Sequence, residues 1–382
     1  MTYSKIKTPE IVATQAALKA LIPRLAREPL LAVDLEADSL HHYQEKVCLI
    51  QISTPGESLI IDPLALADLS PLAPLLANPA KRKVFHGADY DIRSLHRDFG
   101  IEVCNLFDTM IACQFLGEKE LGLAAVLFKR FGVELDKRYQ KADWSKRPLS
   151  AEMIEYAVRD TSLLIELYCL LAEELRAKGR MAWVEEESQL LAGVRAGSRE
   201  ADTLFLRFKG AARMGPRTLA VLEKLLHFRD GLARERDLPP FKILGSETLR
   251  QLAEEKPHRP VDLEGIAGLS PGFRKRYGRH ILEAVAVGLA MPAEQLPVFP
   301  RTQRFVKDRH KEEWLRRLKQ WREARAAELG IEAGILVNNY MLEAFADAAC
   351  TSARGVPTFP ALKKWQMDAF GTELMRIVTG KG

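Results

Sequence analysis

LLAVDLEA, residues 30–37, is an apolar run carrying two carboxylates one residue apart, and its reading decides the fold. Successive side chains of a strand point to opposite faces, so Val33 and Leu35 take one face while Asp34 and Glu36 share the other. Two acids then project together from a strand that is otherwise core. By itself the pattern also suits an edge strand with one wet face. The neighbouring text repeats the strand signature: KVCLIQIST at 46–54 and SLIIDP at 58–63 flank a turn at Pro55-Gly56, and KVFHGA at 83–88 adds another strand. VCNLFDT at 103–109 runs from strand into an apolar helix ending near Gly117. This predicts an α/β fold for the first half of the chain.

Helices dominate from there on. Met153, Ala157, Leu164, Leu167 and Leu171 recur at helical spacing, which predicts one amphipathic helix over 150–178 that starts at Ser150. The helical pattern continues to the end, broken at Gly215-Pro216, Pro239-Pro240, 257–260 and 292–300, the last read as a linker. LAVLEKLLHFRDGLARERDLP at 219–239 and LKQWREARAAELGI at 318–331 share an aromatic, an arginine and a charged helix, which suggests a repeated helical module.

Two more acidic constellations accompany the first. In HGADYDIRSLHRDFG a strand ends at His86-Gly87 and a helix opens with Asp89 and Asp91, either of which can stabilise exposed amides at the helix start. In EYAVRD, Tyr156 and Asp160 stand four apart and share a helical face. Phosphodiester hydrolysis by two divalent ions needs a cluster of hard oxygen ligands. Without cations such a cluster is costly, since like charges 4 Å apart repel by about 4 kcal/mol at an effective dielectric near 20. Four acids in one α/β segment therefore predict Mg²⁺ or Mn²⁺. The Tyr156 hydroxyl can orient a water for in-line attack without ionising.

At 382 residues, with 47% hydrophobic and 28% charged residues, the chain suits two or three globular domains and not a disordered one. Its five cysteines lack CxxC pairing, and charged residues interrupt every apolar stretch long enough to span a bilayer. A soluble, cytoplasmic protein with no membrane association is expected. No GxxxxGK[ST] phosphate loop is present, so no nucleotide cofactor is expected. The net charge of +5 is uneven: residues 1–180 hold 23 Lys and Arg against 25 Asp and Glu, and the remainder 33 against 26. A basic second half suits a polyanionic partner, or is a solvated helical surface.

DLE at 34–36, HGADYD at 86–91 and YAVRD at 156–160 resemble the three motifs of the DEDDy exonuclease family, the tyrosine marking that subclass. The resemblance implies a ribonuclease H-like exonuclease domain with a mixed sheet flanked by helices. It also implies that Asp34, Glu36, Asp91 and Asp160 bind two metal ions and that Tyr156 positions the nucleophile. In the family the second acid lies five after the histidine, which selects Asp91 over Asp89. LIQISTP at 49–55, LIIDPL at 59–64 and LDKRYQKADWSKRPLS at 135–150 also resemble ribonuclease D and its relatives. In such enzymes the segment of Lys137, Trp144 and Arg147 borders the active site, where a cation or aromatic contacts RNA; packing of Trp144 in the core is the alternative.

The helical remainder resembles two HRDC modules, the second weaker. Expected boundaries are 1–180 for the exonuclease domain, 205–292 for the first HRDC domain and 303–380 for the second, both small and all-α. The partner implied is RNA with a free 3′ end, with tRNA precursors as the family's substrate. His86 beside the acids, and the cluster Arg213, Arg217, Arg274, Lys275, Arg276 and Arg279 interleaved with Phe273 and Tyr277, are the remaining candidates for touching RNA. The alternative turns those two aromatics into the core.

Overall fold

The computed structural model describes residues 9–197, 203–300, 309–352 and 362–379. Their elements run β1 (Glu10–Val12), α1 (Gln15–Leu25), β2 (Leu30–Ala37), β3 (Val47–Ser53), β4 (Ser58–Ile61), α2 (Ala73–Leu76), β5 (Arg82–Phe85), α3 (Asp89–Phe99), β6 (Leu106–Asp108), α4 (Thr109–Leu116), α5 (Leu123–Phe131), α6 (Ala151–Ser162), α7 (Leu164–Ala177) and α8 (Met181–Ala192). Two four-helix sets follow: α9 (Pro216–Arg236), α10 (Pro240–Ile243), α11 (Ser246–Glu255), α12 (Pro271–Ala290), then α13 (Arg309–Leu329), α14 (Ala333–Leu336), α15 (Asn339–Ser352) and α16 (Lys364–Thr379). The repeated module thus appears twice with the same order of long and short helices. Pro216 and Pro240 each open a helix, where a missing N–H costs nothing.

The six strands form one mixed sheet in the order β1-β4-β3-β2-β5-β6. β3 pairs antiparallel with β2 and β4, whereas β5 runs parallel to β2 and β6. LLAVDLEA is therefore a central strand, covered by neighbours on both edges. Its period of two holds: Leu31, Val33 and Leu35 join one apolar cluster with α1, β3 and α3. Asp34 and Glu36 face the other way, and the register shifts directly after Glu36.

The expected single helix over 150–178 is two. Ser150 caps α6 through the Met153 amide, as the sequence suggests. The chain then leaves helical geometry at Leu163 (φ −115°), and α7 begins at the next residue. Ser162 Oγ turns back to the Arg159 carbonyl, and Thr161 Oγ1 lies 2.7 Å from Ser53 Oγ on β3. Short hydroxyl side chains offering such bonds compete with the helical ladder, so the break falls where two of them stand together. β1 and α1, which no strong periodicity marks, complete the near edge of the sheet.

The described residues form two compact units. Of the described residues, one comprises 38–46, 197 and 203–300, the other 9–37, 47–196, 309–352 and 362–379. The first has its own core of Phe205, Leu222, Leu249, Ile281 and Val285. Gly288 of α12 lets two helices touch there, since a Cβ would meet Val221 Cα at 2.6 Å. In the same unit Tyr43 packs against that core, and its hydroxyl donates to Asp230 at 2.9 Å. In the second unit α13–α16 share a core with the helices of the α/β half: Phe115 of α4 and Trp183 of α8 lie with Trp365 and Phe370 of α16 in one cluster. Trp183 stacks on Trp365 at 4.9 Å, and Phe115 meets the same ring edge-on at 5.2 Å.

Candidate active site

Three sequence-distant segments converge on the acid-bearing face of β2. Asp34 and Glu36 come from the strand, Asp160 from α6 across that face, and Asp91 from the first turn of α3 beyond the end of β5. One carboxylate oxygen each from Asp34, Glu36 and Asp160 lie within 4.8 Å of one another. Asp91 completes the group: it is 7% exposed, and its charge acts on Glu36 together with those of Asp34 and Asp160.

The cluster's cost shows in its proton affinities. Burial pushes the Asp34 carboxyl up to about 6, and burial with the nearby Asp34 charge pushes Asp160 up to about 8. Glu36 and Asp91 are held well above the ordinary range, first by burial and then by the other acids. Among the described residues no cationic side chain offsets the charge of any of the four. Clustered oxygen donors that repel one another without a paired cation fit hard divalent ions, whose charge would reverse the balance. Asp89 differs sharply. It is exposed, pairs with Arg93 at 2.8 Å, and has its carboxyl lowered by that hydrogen bond.

Tyr156 lies one turn before Asp160 on α6, and both line the same cavity. Its ring is held by Tyr139 at 5.8 Å and Trp144 at 5.9 Å. Burial, then the surrounding acids, raises the phenol far above its ordinary value, so it stays protonated. A cavity of about 270 Å³ opens over these groups, lined by Asp34, His86, Lys137, Gln140, Tyr156 and Asp160.

The turn that delivers Asp91 is fastened by a residue to which the sequence motifs assign no role. Asp108, fully buried, caps α4 through Met110 and Ile111 and also accepts from the Gly87 and Ala88 amides. An aspartate directly before an apolar helix is the signal that marks it. His86 is clasped beside it, with Nε2 2.7 Å from the Leu121 carbonyl and Nδ1 2.8 Å from Thr109 Oγ1. Since a carbonyl only accepts, Nε2 carries the proton.

The other candidates for touching RNA fall into different surroundings. Lys137 is exposed at the cavity. Trp144 is 1% exposed, which answers to the packing alternative. Arg147 grips Asp62 with two bonds of 2.7 Å and donates to the carbonyls of Trp144 and Cys48. Within the first helical set Arg213, Lys275 and Arg276 are exposed, as is Arg279, which pairs with Glu283. Arg274 donates to the Glu264 carbonyl and Arg217 to that of Leu289. Phe273 and Tyr277 pack against the core, with Arg276 5.5 Å above the Tyr277 ring.

A strand-borne pair of acids, joined by acids from two helices over a mixed sheet, suits metal-dependent phosphodiester chemistry, in a chain that also carries repeated helical modules. Family models agree: a 3′-5′ exonuclease matches residues 9–176, and the HRDC domain matches twice, at 218–285 and 311–378. The chain is 31% identical over 378 residues to ribonuclease D of Acidiphilium cryptum, covering 98% of this chain and 94% of that one. Among solved structures it is similar to the catalytic core of RRP6 from Trypanosoma brucei, at 33% identity and TM-score 0.65, over 75% of this chain and 81% of the other. Its fold also matches Escherichia coli RNase D, at 24% identity and TM-score 0.73, over 98% and 99% of the two chains. The chain belongs to the ribonuclease D family of 3′-to-5′ exoribonucleases. Among the described residues no helix is long and apolar enough to cross a membrane.

Proposed function

We propose that this exoribonuclease removes nucleotides one at a time from RNA 3′ ends and releases nucleoside 5′-monophosphates, using two divalent ions, Mg²⁺ or Mn²⁺, with tRNA precursors as substrates. The observation that carries this reading is the convergence of Asp34, Glu36 and Asp160 within 4.8 Å, with Asp91 alongside. These four carboxylates are the ligands. Bound divalent ions would supply charge stabilisation of the attacked phosphate and a nucleophile at neutral pH. Tyr156, protonated and one turn from Asp160 at the cavity, holds the attacking water in line by accepting or donating a hydrogen bond. His86 and Lys137 border the cavity where the terminal nucleotide enters. Arg213, Lys275, Arg276 and Arg279 offer exposed charge for phosphates further along the RNA, while Arg217, Arg274 and Arg147 also hold backbone or carboxylate partners in place.

We assign residues 1–180 to the exonuclease domain, 205–292 to the first HRDC domain and 303–380 to the second; the three family matches fall inside these bounds. Single-turnover cleavage of matched RNA and DNA strands, with Mg²⁺, Mn²⁺ or chelator, tests the reading. Stepwise shortening of RNA from the 3′ end, lost with chelator, is expected. RNA left intact despite binding would overturn it, and faster cleavage of DNA would favour a DNA exonuclease on the same fold.

A further inference from the structure

The carboxylates do not exhaust the polar groups on their face of the sheet. Gln51 of β3 stands directly opposite Asp34 in the antiparallel ladder, so the two side chains share a face. Ser53, two residues on, shares it too, and its hydroxyl lies 2.7 Å from Thr161 Oγ1, the residue after Asp160. That approach identifies the face as the one α6 covers. Ser53 also has Ser58 at 2.8 Å. Gln51 is 0% exposed, and neither its Nε2 nor its Oε1 has a hydrogen-bond partner.

An amide buried without partners is unfavourable, and its surroundings give no packing reason for one. Ile60, directly opposite it on β4, and Leu49, two residues before it on the same face, are apolar and fully buried, so a leucine or methionine would fill the space without loss. Gln51 also sits on a strand paired on both edges, which fixes its Cα against Asp34. The unpaired amide is therefore next to a functional carboxylate and on a rigid support.

We propose that Gln51 is a positioning residue: its amide donates to the Asp34 carboxylate once that carboxylate is engaged by a divalent cation, and so fixes the orientation in which Asp34 holds the cation. The inference rests on the reading of Asp34 as a metal ligand. Partners of this kind behind a ligand change metal affinity by about 10–100-fold when removed. The metal-free protein bears the cost of the unpaired amide, and the loaded protein recovers it.

The test compares wild type with Gln51→Met and Gln51→Leu, two apolar replacements of different shape. Three quantities are read: melting temperature in chelator, Mn²⁺ affinity by calorimetry or by the paramagnetic resonance of free Mn²⁺, and the Mn²⁺ concentration for half-maximal RNA cleavage. Both variants should melt in chelator at or above the wild-type temperature while binding Mn²⁺ about tenfold more weakly, with half-maximal cleavage shifted by the same factor. Lower melting temperatures with unchanged Mn²⁺ affinity would make Gln51 a structural residue and overturn the proposal. Wild type showing no Mn²⁺ binding that Asp34→Asn abolishes would overturn the ligand reading itself. Intact wild-type binding with no change in either Gln51 variant would overturn only the positioning role.

Discussion

The two HRDC copies carry the same four-helix order yet bury their apolar faces in different places. The first has a core of its own: α9, α11 and α12 surround it, and among the described residues Tyr43 of the β2–β3 connection packs against it. The second is built into the catalytic unit. Its Trp365 lies between Phe115 and Trp183, and Glu186 and Glu187 of α8 take the Lys364 and Trp365 amides, the Trp365 indole and the Lys363 ammonium. Gly117, at the left-handed end of α4, sits so close to the end of α13 that a Cβ would meet the Gly330 carbonyl at 2.0 Å. Arg180 ties the same two helix ends by donating to the carbonyls of Phe115 and Leu329. One helical module can thus serve as a separate body or as the missing wall of its neighbour, depending on where its aromatics go.

The largest expected effect of this difference is on stability. Trp365→Ala should destabilise the catalytic unit by about 3–5 kcal/mol and lower the temperature at which cleavage of a short single strand is lost. Leu222→Ala should cost about 2–5 kcal/mol in the first copy and leave that temperature unchanged. Thermal inactivation followed by short-strand cleavage decides between the two. Equal shifts would erase the distinction between the copies.

A second effect follows from the carboxylates. Asp34 and Asp160 bind protons more tightly in the folded chain, about 6 and about 8, than in an unfolded one, where 3.8 is usual. Metal-free stability should therefore fall as pH rises from about 4 to about 8, as these groups lose protons that the fold favours. Divalent ions need the deprotonated form, so the rise in melting temperature on adding Mg²⁺ or Mn²⁺ should grow across the same range. A metal-induced shift that does not change with pH would contradict the assignment of these acids as ligands.

The smallest effect belongs to the surface of the first copy. Replacing Lys275 and Arg276 together by alanine should reduce the salt dependence of binding to single-stranded RNA by about 0.7 in log–log slope for each phosphate left without its cation. Short-strand cleavage should hold. An unchanged slope would mean a solvated helical face.

Much of the active site can be read from periodicity. Alternation places Asp34 and Glu36 on one face, and helical spacing puts Tyr156 over Asp160; both relations are local. What escapes is whatever depends on a partner far along the chain. The break at Leu163 comes with Thr161 reaching Ser53 on β3. Trp144 reads equally as a nucleic-acid aromatic or a core residue until its burial beside the Tyr156 ring is seen. Likewise, nothing in KKWQMDAF says that its tryptophan packs on Trp183 and not within its own four helices. Gln51 did leave a mark, as the one amide in the apolar run VCLIQI, but only the register shows which acid it faces.

The central claim is that four particular acids form the catalytic centre, and the pair Asp89 and Asp91 tests it most directly because both stand in the first turn of one helix. Asp91→Asn should reduce single-turnover RNA cleavage by about a thousandfold and leave the fold at least as stable in chelator, since a buried charge is removed. Asp89→Asn, which breaks only an exposed pair with Arg93, should keep most of the rate. Rates measured side by side with Mg²⁺ decide it: a crippled Asp91 variant beside an active Asp89 variant is the predicted result, and the reverse order would contradict the account.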